Sequence, residues 1–156
     1  MASEGRSTGA GRLGLAVAEA IAAHALELRL ERGYDPLTVA VLDAGGHVVL
    51  LHREDGSGIM RPQIASGKAW GALGMGLPSR EIARRSQKQP EFFAALAALA
   101  PGGLLPAPGG VLVRDPETRD VIGAVGISGD TSDRDEECAV AGVETVGLTA
   151  DAGTAA

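Results

Sequence analysis

Apolar residues recur at helical spacing in the first long hydrophobic segment of the chain. The stripe consists of Leu13, Val17, Ile21, His24 and Leu28. Such spacing is typical of an amphipathic helix, and Gly33 is a suitable place for that helix to end. Because His24 occupies a position in the stripe, its imidazole is expected to point towards the interior.

Alternating apolar residues and turn residues predict two β-hairpins further along. The first joins Leu37–Leu42 to His47–Arg53 through Asp43–Gly46, and the second joins Val111–Val113 to Val121–Ile127 through Asp115–Asp120. Helices are expected over Arg61–Met75, after Ser79 as N-cap, from Pro90 to Pro101, and over Arg134–Leu148. This order of elements favours an α+β fold with an antiparallel sheet.

Composition indicates one ordinary globular domain, with 156 residues of which 45% are hydrophobic and 22% are charged. We expect residues 1–11 to form a disordered tail, residues 12–148 to form the domain and residues 149–156 to fray. A net charge of -6 leaves no field that attracts nucleic acid or anionic membranes. Charged residues interrupt the apolar stretch Leu13–Leu30, and the single cysteine, Cys138, needs no oxidising compartment. We therefore expect a cytoplasmic protein without nucleic-acid or membrane partners.

Three segments taken together carry a resemblance to a known family. They are Val39–Val49 with Arg53–Gly56, then Ala65–Ala69, then Gly109–Gly110 through Ile122–Gly129 with Asp135–Glu136. In order and spacing they resemble the GlcG/HbpS-type haem-binding family, also called the haem-degrading domain family, and the C-terminal domain of PduO-type cobalamin adenosyltransferase. The resemblance implies a profilin-like α/β/α domain with about five antiparallel strands, assembly as a dimer or larger ring, and haem as the ligand. Four strands are evident in the sequence, and Gly103–Pro108 is a candidate for the fifth.

The chain departs from the family pattern at two places. Arg53-Glu54-Asp55-Gly56 stands where relatives often have Arg-Met-Asp-Gly, and Trp70-Gly71 stands where they often have an aromatic residue and Thr. Both changes are expected to alter the rim of the implied pocket. Secreted haem-binding relatives carry an export signal, which we do not find in this chain, and this favours an intracellular role with a small molecule.

Two side chains are the leading candidates for chemistry. His24 offers a ring nitrogen as ligand to haem iron or as a general acid or base, and its alternative role is that of a core histidine bonded to the backbone. Lys68 lies among small residues and is suited to pair with a substrate carboxylate or a haem propionate. If its stem is buried it is also a candidate base or nucleophile, whereas an ordinary surface lysine would do neither. Both groups are expected to face one hollow bounded by glycine bends.

The remaining candidates surround these two. Asp55 is a possible charged catalytic partner, and the ligand-binding candidates are His52, Arg53, Gly109, Gly110, Gly126 and Ser128. Backbone amides beside these glycines are able to form a concavity for an anion, although glycines at strand ends more often serve turns. His47 is expected in solvent, and no spacing of His and carboxylates matches a zinc motif.

Charged residues in the second half of the chain can be explained without a catalytic role. An acidic group at the start of the last helix suits the helix dipole, with metal binding as the lesser alternative; it consists of Asp133, Asp135, Glu136 and Glu137. A basic patch is expected on a solvated helix face or as a clamp for carboxylates; it consists of Arg80, Arg84, Arg85 and Lys88. Cys138 is expected to be a buried apolar residue or, less simply, a thiolate ligand of haem.

Three functions follow from these residues and the resemblance. The first is a cytoplasmic protein that binds or processes haem, and the second is a cofactor-independent enzyme that acts on a small anionic metabolite by acid/base chemistry. The third is a non-catalytic binding module that assembles as a homo-oligomer. The last expectation rests on a second apolar patch of the first helix, formed by Leu15, Ala22, Leu26 and Leu30.

Overall fold

A five-stranded antiparallel sheet is the middle layer of the computed structural model, which describes residues 12–153. The predicted tail 1–11 and the last three residues of the chain lie outside the described residues. In chain order the elements are α1 Leu15–Arg32, β1 Thr38–Asp43, β2 Val48–Arg53, α2 Arg61–Met75, α3 Ser79–Lys88, α4 Pro90–Leu99, β3 Gly110–Arg114, β4 Val121–Ser128, α5 Ser132–Thr145 and β5 Thr149–Asp151. The strand order across the sheet is β2-β1-β4-β3-β5.

Both predicted hairpins are confirmed, because β1 pairs with β2 and β3 pairs with β4, each pair antiparallel. The two hairpins join in the middle of the sheet, where β1 and β4 align with Val41 opposite Val125. Helix α1 ends where the sequence suggested, since Gly33 has a φ of 67° and its amide bonds back to the last turn. The predicted α+β fold with an antiparallel sheet is thus correct.

Helices cover both faces of the sheet, which gives three layers. Residues that alternate along β1 point to opposite sides: Val39 and Val41 join the core beneath α1 and α5, and Leu42 joins the core beneath α2. Helix α1 packs chiefly on α5, and α2 packs on β4, β1 and β3. The sheet therefore separates α1 from α2.

The contact between α2 and the sheet is unusually close because glycines of β3 and β4 lie beneath the helix. A Cβ atom on Gly126 would lie 1.9 Å from the carbonyl oxygen of Ala65, and one on Gly110 would lie 2.4 Å from that of Lys68. Neither position has room for a side chain. These glycines let the backbone of α2 rest directly on the sheet.

The fifth strand is not where the sequence suggested. Gly103–Pro108 is a loop, whereas Thr149–Asp151, which we expected to fray, forms β5 beside β3. Asp151 accepts a 3.0 Å bond from Nε of Arg114, and Ala150 packs against the main core. A strand of three residues is too short to show the alternation of apolar and polar residues by which strands are predicted. Its contacts with β3 and the core hold it in place.

Ser79 is also not an N-cap. Pro78 occupies the cap position of α3, and the Ser79 hydroxyl instead accepts a 2.7 Å bond from the Gly110 amide and donates a 3.2 Å bond to the Gly110 carbonyl. Its side chain thus fastens α3 to the start of β3.

Candidate functional site

A row of polar side chains crosses three strands at one end of the sheet. Thr38 of β1 lies opposite Arg53 of β2 on one side and opposite Ser128 of β4 on the other. The Thr38 hydroxyl is 2.8 Å from that of Ser57, whose carbonyl accepts a 2.7 Å bond from Nη1 of Arg53. Arg61, at the start of α2, donates a 3.1 Å bond from Nη1 to the Ser128 hydroxyl. We call Thr38, Arg53, Ser57, Arg61 and Ser128 the polar row.

Lys68 ends beside this row, in an ion pair that links α2 to α5. Its Nζ donates a 2.8 Å bond to the carbonyl of Ile127 and a 3.2 Å bond to Oδ2 of Asp135, while Oδ1 of Asp135 accepts from the Asp130 amide at 2.9 Å. Burial lowers the pKa of Lys68 and raises the pKa of Asp135, and the attraction between the two groups opposes both shifts. Both charged groups bond other groups of the protein, and the ion pair therefore links α2, β4 and α5.

The predicted anion-binding concavity at the glycines does not form. The Gly110 amide donates to Ser79, and the Gly109 carbonyl accepts a 3.0 Å bond from the Ile127 amide. Gly109 has a φ of 120°, and a Cβ atom there would lie 2.8 Å from Nζ of Lys68. The space beside Gly109, Gly110 and Gly126 is occupied by α2, which the sequence pattern of strand glycines does not reveal.

His24 lies away from this region, so the expected hollow shared with Lys68 is wrong. Its side chain is 39% exposed, and its Nδ1 is 3.5 Å from Oε2 of Glu27 on the same helix. The inward face of α1 is instead centred on Ala18, Ile21, Ala22 and Ala25. Small side chains permit the closest approach to α5 and the sheet, which turns the stripe containing His24 towards the edge of the contact.

The other predicted site residues divide into two groups. Arg53, Lys68 and Ser128 meet at the same end of the sheet, as described above. Asp55 is exposed in the loop after β2, and His52 is exposed on β2 itself. His47 is also exposed, as predicted, and its Nδ1 lies 3.2 Å from Oδ1 of Asp43.

The remaining candidates, which are the basic patch, the acidic group of α5 and Cys138, lie outside the polar row. Arg80 binds Asp133 and Glu136 of α5, which raises its pKa, and Arg84 and Arg85 each bind Glu81. Burial raises the pKa of Cys138 to about 12, so its thiol stays protonated at neutral pH. Within residues 12–153, no group of three His, Cys, Asp or Glu side chains is placed to hold a metal ion.

Among residues 12–153, an acidic groove and an apolar groove each have a volume in the range of small-ligand sites. The acidic groove, of about 680 Å³, lies between α1 and α5, and its charged residues are Arg32, Arg80, Asp133, Glu136, Glu137 and Glu144. The apolar groove, of about 430 Å³, lies between β2, the first half of α2 and the loop after α4. It is lined by Leu51, Pro62, Gln63, Ser66 and residues 100–103. The sequence does not reveal this groove, because its walls come from three segments that are distant along the chain.

The layer order and the two grooves define an α/β/α domain suited to binding small molecules. The chain belongs to the HbpS-like family of haem-degrading proteins, whose model matches residues 13–144. The family assignment made from the three sequence segments is therefore confirmed. No helix among the described residues has the length and apolar character needed to cross a membrane.

Solved structures agree with this assignment. HbpS has 29% identity and a TM-score of 0.76, covering 94% of this chain and 99% of its own. Klebsiella pneumoniae ORFY has 27% identity and a TM-score of 0.78, with 89% and 93% covered. A PduOC–heme complex has 21% identity and a TM-score of 0.79, covering 90% of this chain and 99% of its own, and thus shares the fold. No protein of curated function is significantly similar to the chain.

Proposed function

We propose that this protein binds haem, or a closely related tetrapyrrole, in the apolar groove. The observation that carries the proposal is the difference in charge between the two grooves. The acidic groove has four carboxylates against two guanidinium groups, whereas the apolar groove has no charged residue in its lining. Since haem is an apolar plate with two propionates, four carboxylates would repel it.

Arg53 is suited to bind a propionate at the mouth of the apolar groove. It follows Leu51 by two positions on β2, so both side chains lie on the face of the sheet that carries α2. One N–H of Arg53 holds the Ser57 carbonyl. A guanidinium has five N–H donors, so others are available for a carboxylate.

The donor set of the groove also fits haem. Leu51 and the prolines Pro62 and Pro101 offer apolar surface to the macrocycle, and Gln63 and Ser66 offer hydrogen bonds at its edge. Met60, two residues before Pro62, is exposed and supplies a thioether of the kind that ligates haem iron. The predicted ligand-binding residue His52 pairs with Val39, so its side chain points to the opposite face of the sheet from this groove. When bound, haem iron would supply oxygen and redox chemistry, and the protein would orient the ring and limit access of water.

Breakdown of haem and a cytoplasmic location also belong to this proposal. Family membership supports the first, and the buried free thiol of Cys138 is compatible with a reducing compartment. The alternative of acid/base chemistry by His24 and Lys68 loses its geometric basis, because the two lie on opposite faces of the sheet. A binding module without catalysis remains compatible with the same groove.

Hemin titration of the purified protein tests the proposal. We expect a saturable Soret shift with one haem per groove, and a Kd that rises about tenfold or more in Arg53→Ala, since a charge-assisted hydrogen bond contributes roughly 1.5–3 kcal/mol. Arg32→Ala, which changes the acidic groove, is the matched control and should leave the Kd unchanged. Spectra of His24→Ala and His52→Ala identify an imidazole ligand. A missing Soret shift would refute haem binding, and an effect of Arg32→Ala or His24→Ala alone would move the site to α1.

A further inference from the structure

Two arginines of the polar row, Arg53 and Arg61, bond neutral groups of the protein. The guanidinium of Arg53 donates to the Ser57 carbonyl at 2.7 Å, and that of Arg61 donates to the Ser128 hydroxyl at 3.1 Å. Other arginines of residues 12–153 instead form ion pairs with aspartate or glutamate; they are Arg29, Arg32, Arg80, Arg84, Arg85, Arg114 and Arg134. The two guanidinium groups of the row therefore differ from these in their partners.

Carboxylates near this end of the sheet do not neutralise the two arginines. Each of three carboxylates already has a cationic partner: Glu54 pairs with Arg29, Asp130 with Arg134, and Asp135 with Lys68. Asp55, in the loop after β2, is exposed and forms no ion pair with either guanidinium in the part of the chain that the structure describes. The positive charges of Arg53 and Arg61 are thus left without a counter-charge from the protein.

Both guanidinium groups lie on the face of the sheet that carries α2. Arg53 and Ser128 flank Thr38 in the ladder, and residues directly opposite each other in a ladder share a face. Their Cα atoms are two strand spacings apart, about 10 Å. Since Arg61 bonds Ser128, the two guanidinium groups stand on either side of the buried Thr38 hydroxyl.

The donors at this end suit carboxylates. A guanidinium has five N–H donors in a planar fork that matches the two oxygens of a carboxylate, and the contacts described above use one donor of each arginine. Burial lowers the pKa of Lys68, and the positive charge of Arg61 acts in the same direction, so the field here is positive. An anion bound between the two arginines would relieve this repulsion.

We propose that Arg53 and Arg61 form a two-point site for a ligand that carries two carboxylates. The site adjoins the apolar groove, because Leu51 precedes Arg53 by two positions on β2 and Pro62 follows Arg61 in α2. A ligand with an apolar body and two carboxylates therefore fits both. A free aliphatic dicarboxylate and the two propionates of haem share this chemistry. The haem form rests on the function proposed above, whereas the free acid does not.

Calorimetric titration of haem-free protein with adipate tests the free acid. We expect adipate to bind at least about tenfold more tightly than butyrate, which has one carboxylate. Arg53→Gln and Arg61→Gln should each weaken adipate binding by about tenfold or more. Arg61→Lys keeps the charge and a donor for Ser128 but loses the fork, so it should retain part of the affinity.

Arg12→Gln is the matched control for a general effect of charge. Arg12 is exposed, and its neighbour Leu13 packs beside Gly123, at the other end of β4 from Ser128. This variant should bind adipate like the native protein. Circular dichroism spectra of all the variants show whether the fold is kept.

Titrations with hemin and with hemin dimethyl ester, in which both carboxylates are capped, test the haem form. If haem is the source, the ester should bind about tenfold or more weakly, and Arg53→Gln and Arg61→Gln should weaken binding of hemin but not of the ester. Adipate binding that depends on both arginines, without any binding of hemin, would support the site and refute the proposed haem function. Equal affinity for hemin and its ester, with no binding of adipate, would leave haem binding in place and overturn the two-point site. A loss in Arg12→Gln as large as that in Arg61→Gln would also overturn it.

Discussion

Lys68 and Asp135 form an ion pair that solvent scarcely reaches, although α2 and α5 cover opposite faces of the sheet. The two side chains are 2% and 1% exposed, and Nζ lies 3.2 Å from Oδ2. Lys68 also donates a hydrogen bond to the Ile127 carbonyl of β4, a strand of the sheet that lies between the two helices. One lysine thus connects three layers at the end of the sheet where the polar row lies.

Removing either member of this pair should destabilise the protein strongly. In Lys68→Met the carboxylate of Asp135 loses its partner, and in Asp135→Asn the ammonium does. Because a buried charge is left uncompensated, we expect each change to lower the free energy of unfolding by about 3–5 kcal/mol. Urea denaturation followed by circular dichroism measures the loss.

The double variant Lys68→Met/Asp135→Asn is the control for this prediction. With no charge left behind, its loss should be clearly smaller than the sum of the two single losses. Additive losses would show that the two side chains act independently and would contradict their ion pair.

Gly126 gives a second prediction, which tests how closely α2 approaches the sheet. Since a Cβ atom at this position would lie 1.9 Å from the Ala65 carbonyl, Gly126→Ala must push α2 away from β4. Overpacking of this kind costs about 1–3 kcal/mol or somewhat more, and we expect the upper end. At Gly58 the nearest atom to such a Cβ is 3.9 Å away, so Gly58→Ala should change the melting temperature little. Equal effects of the two substitutions would argue against the close contact.

The sequence predicted the elements of this fold better than their faces. Both hairpins followed from local turn chemistry, since Asp43–Gly46 forms the first turn. The bounds of α2 agree with the predicted helix Arg61–Met75, and the structure shows that Gly76 ends it with a φ of 66°. The 39% exposure of the His24 side chain did not follow, because Ile21 and three alanines form the buried face of α1 and leave His24 at its edge. Helical spacing reports which residues share a face and leaves open which face is buried.

The candidate site shows the same limit. Arg53, Lys68 and Ser128 were selected from three separate segments, and the structure brings them to one end of the sheet. Arg61, Ser57 and Thr38 were missed, because single polar residues beside strands carry no pattern of their own. For Gly110 and Gly126 the sequence left a sharp turn and a close approach open, and the structure shows the close approach, because both lie in strands beneath α2. Only the path of the chain in three dimensions distinguishes these uses of glycine.

Asp115 provides a prediction on the dependence of stability on pH. Its Oδ1 accepts bonds from the amides of Thr118 and Glu117, at 2.9 and 2.8 Å, which hold the pKa of the carboxyl below its usual value of 3.8. Between the folded and unfolded pKa values the unfolded state binds more protons, so this stabilisation is present above pH 3.8 and is lost as the pH falls through the folded pKa.

Asp115→Ala should therefore be less stable than the native protein at pH 6, and the difference should shrink as the pH is lowered below 3.8. Urea denaturation at a series of pH values measures it. Asp120→Ala, which alters another acidic residue of the same turn, is a control for general charge effects. A difference between native protein and Asp115→Ala that stays constant down to pH 2 would contradict this role of the carboxylate.

The hydroxyl of Ser79 gives the last prediction, because it accepts a bond from the Gly110 amide and donates one to the Gly110 carbonyl. Ser79→Ala removes it at a position that is fully buried, so water cannot take its place without opening the contact between α3 and β3. An unsatisfied buried amide costs about 1–3 kcal/mol, and we expect a loss of that size in urea denaturation. Ser86 lies on the same helix, and its hydroxyl donates a bond to the Ala83 carbonyl of that helix. The backbone of α3 holds Ala83 in place without this bond. Ser86→Ala should therefore cost much less. If the two variants lose the same stability, the bond from Ser79 to Gly110 is not what fastens α3 to the sheet.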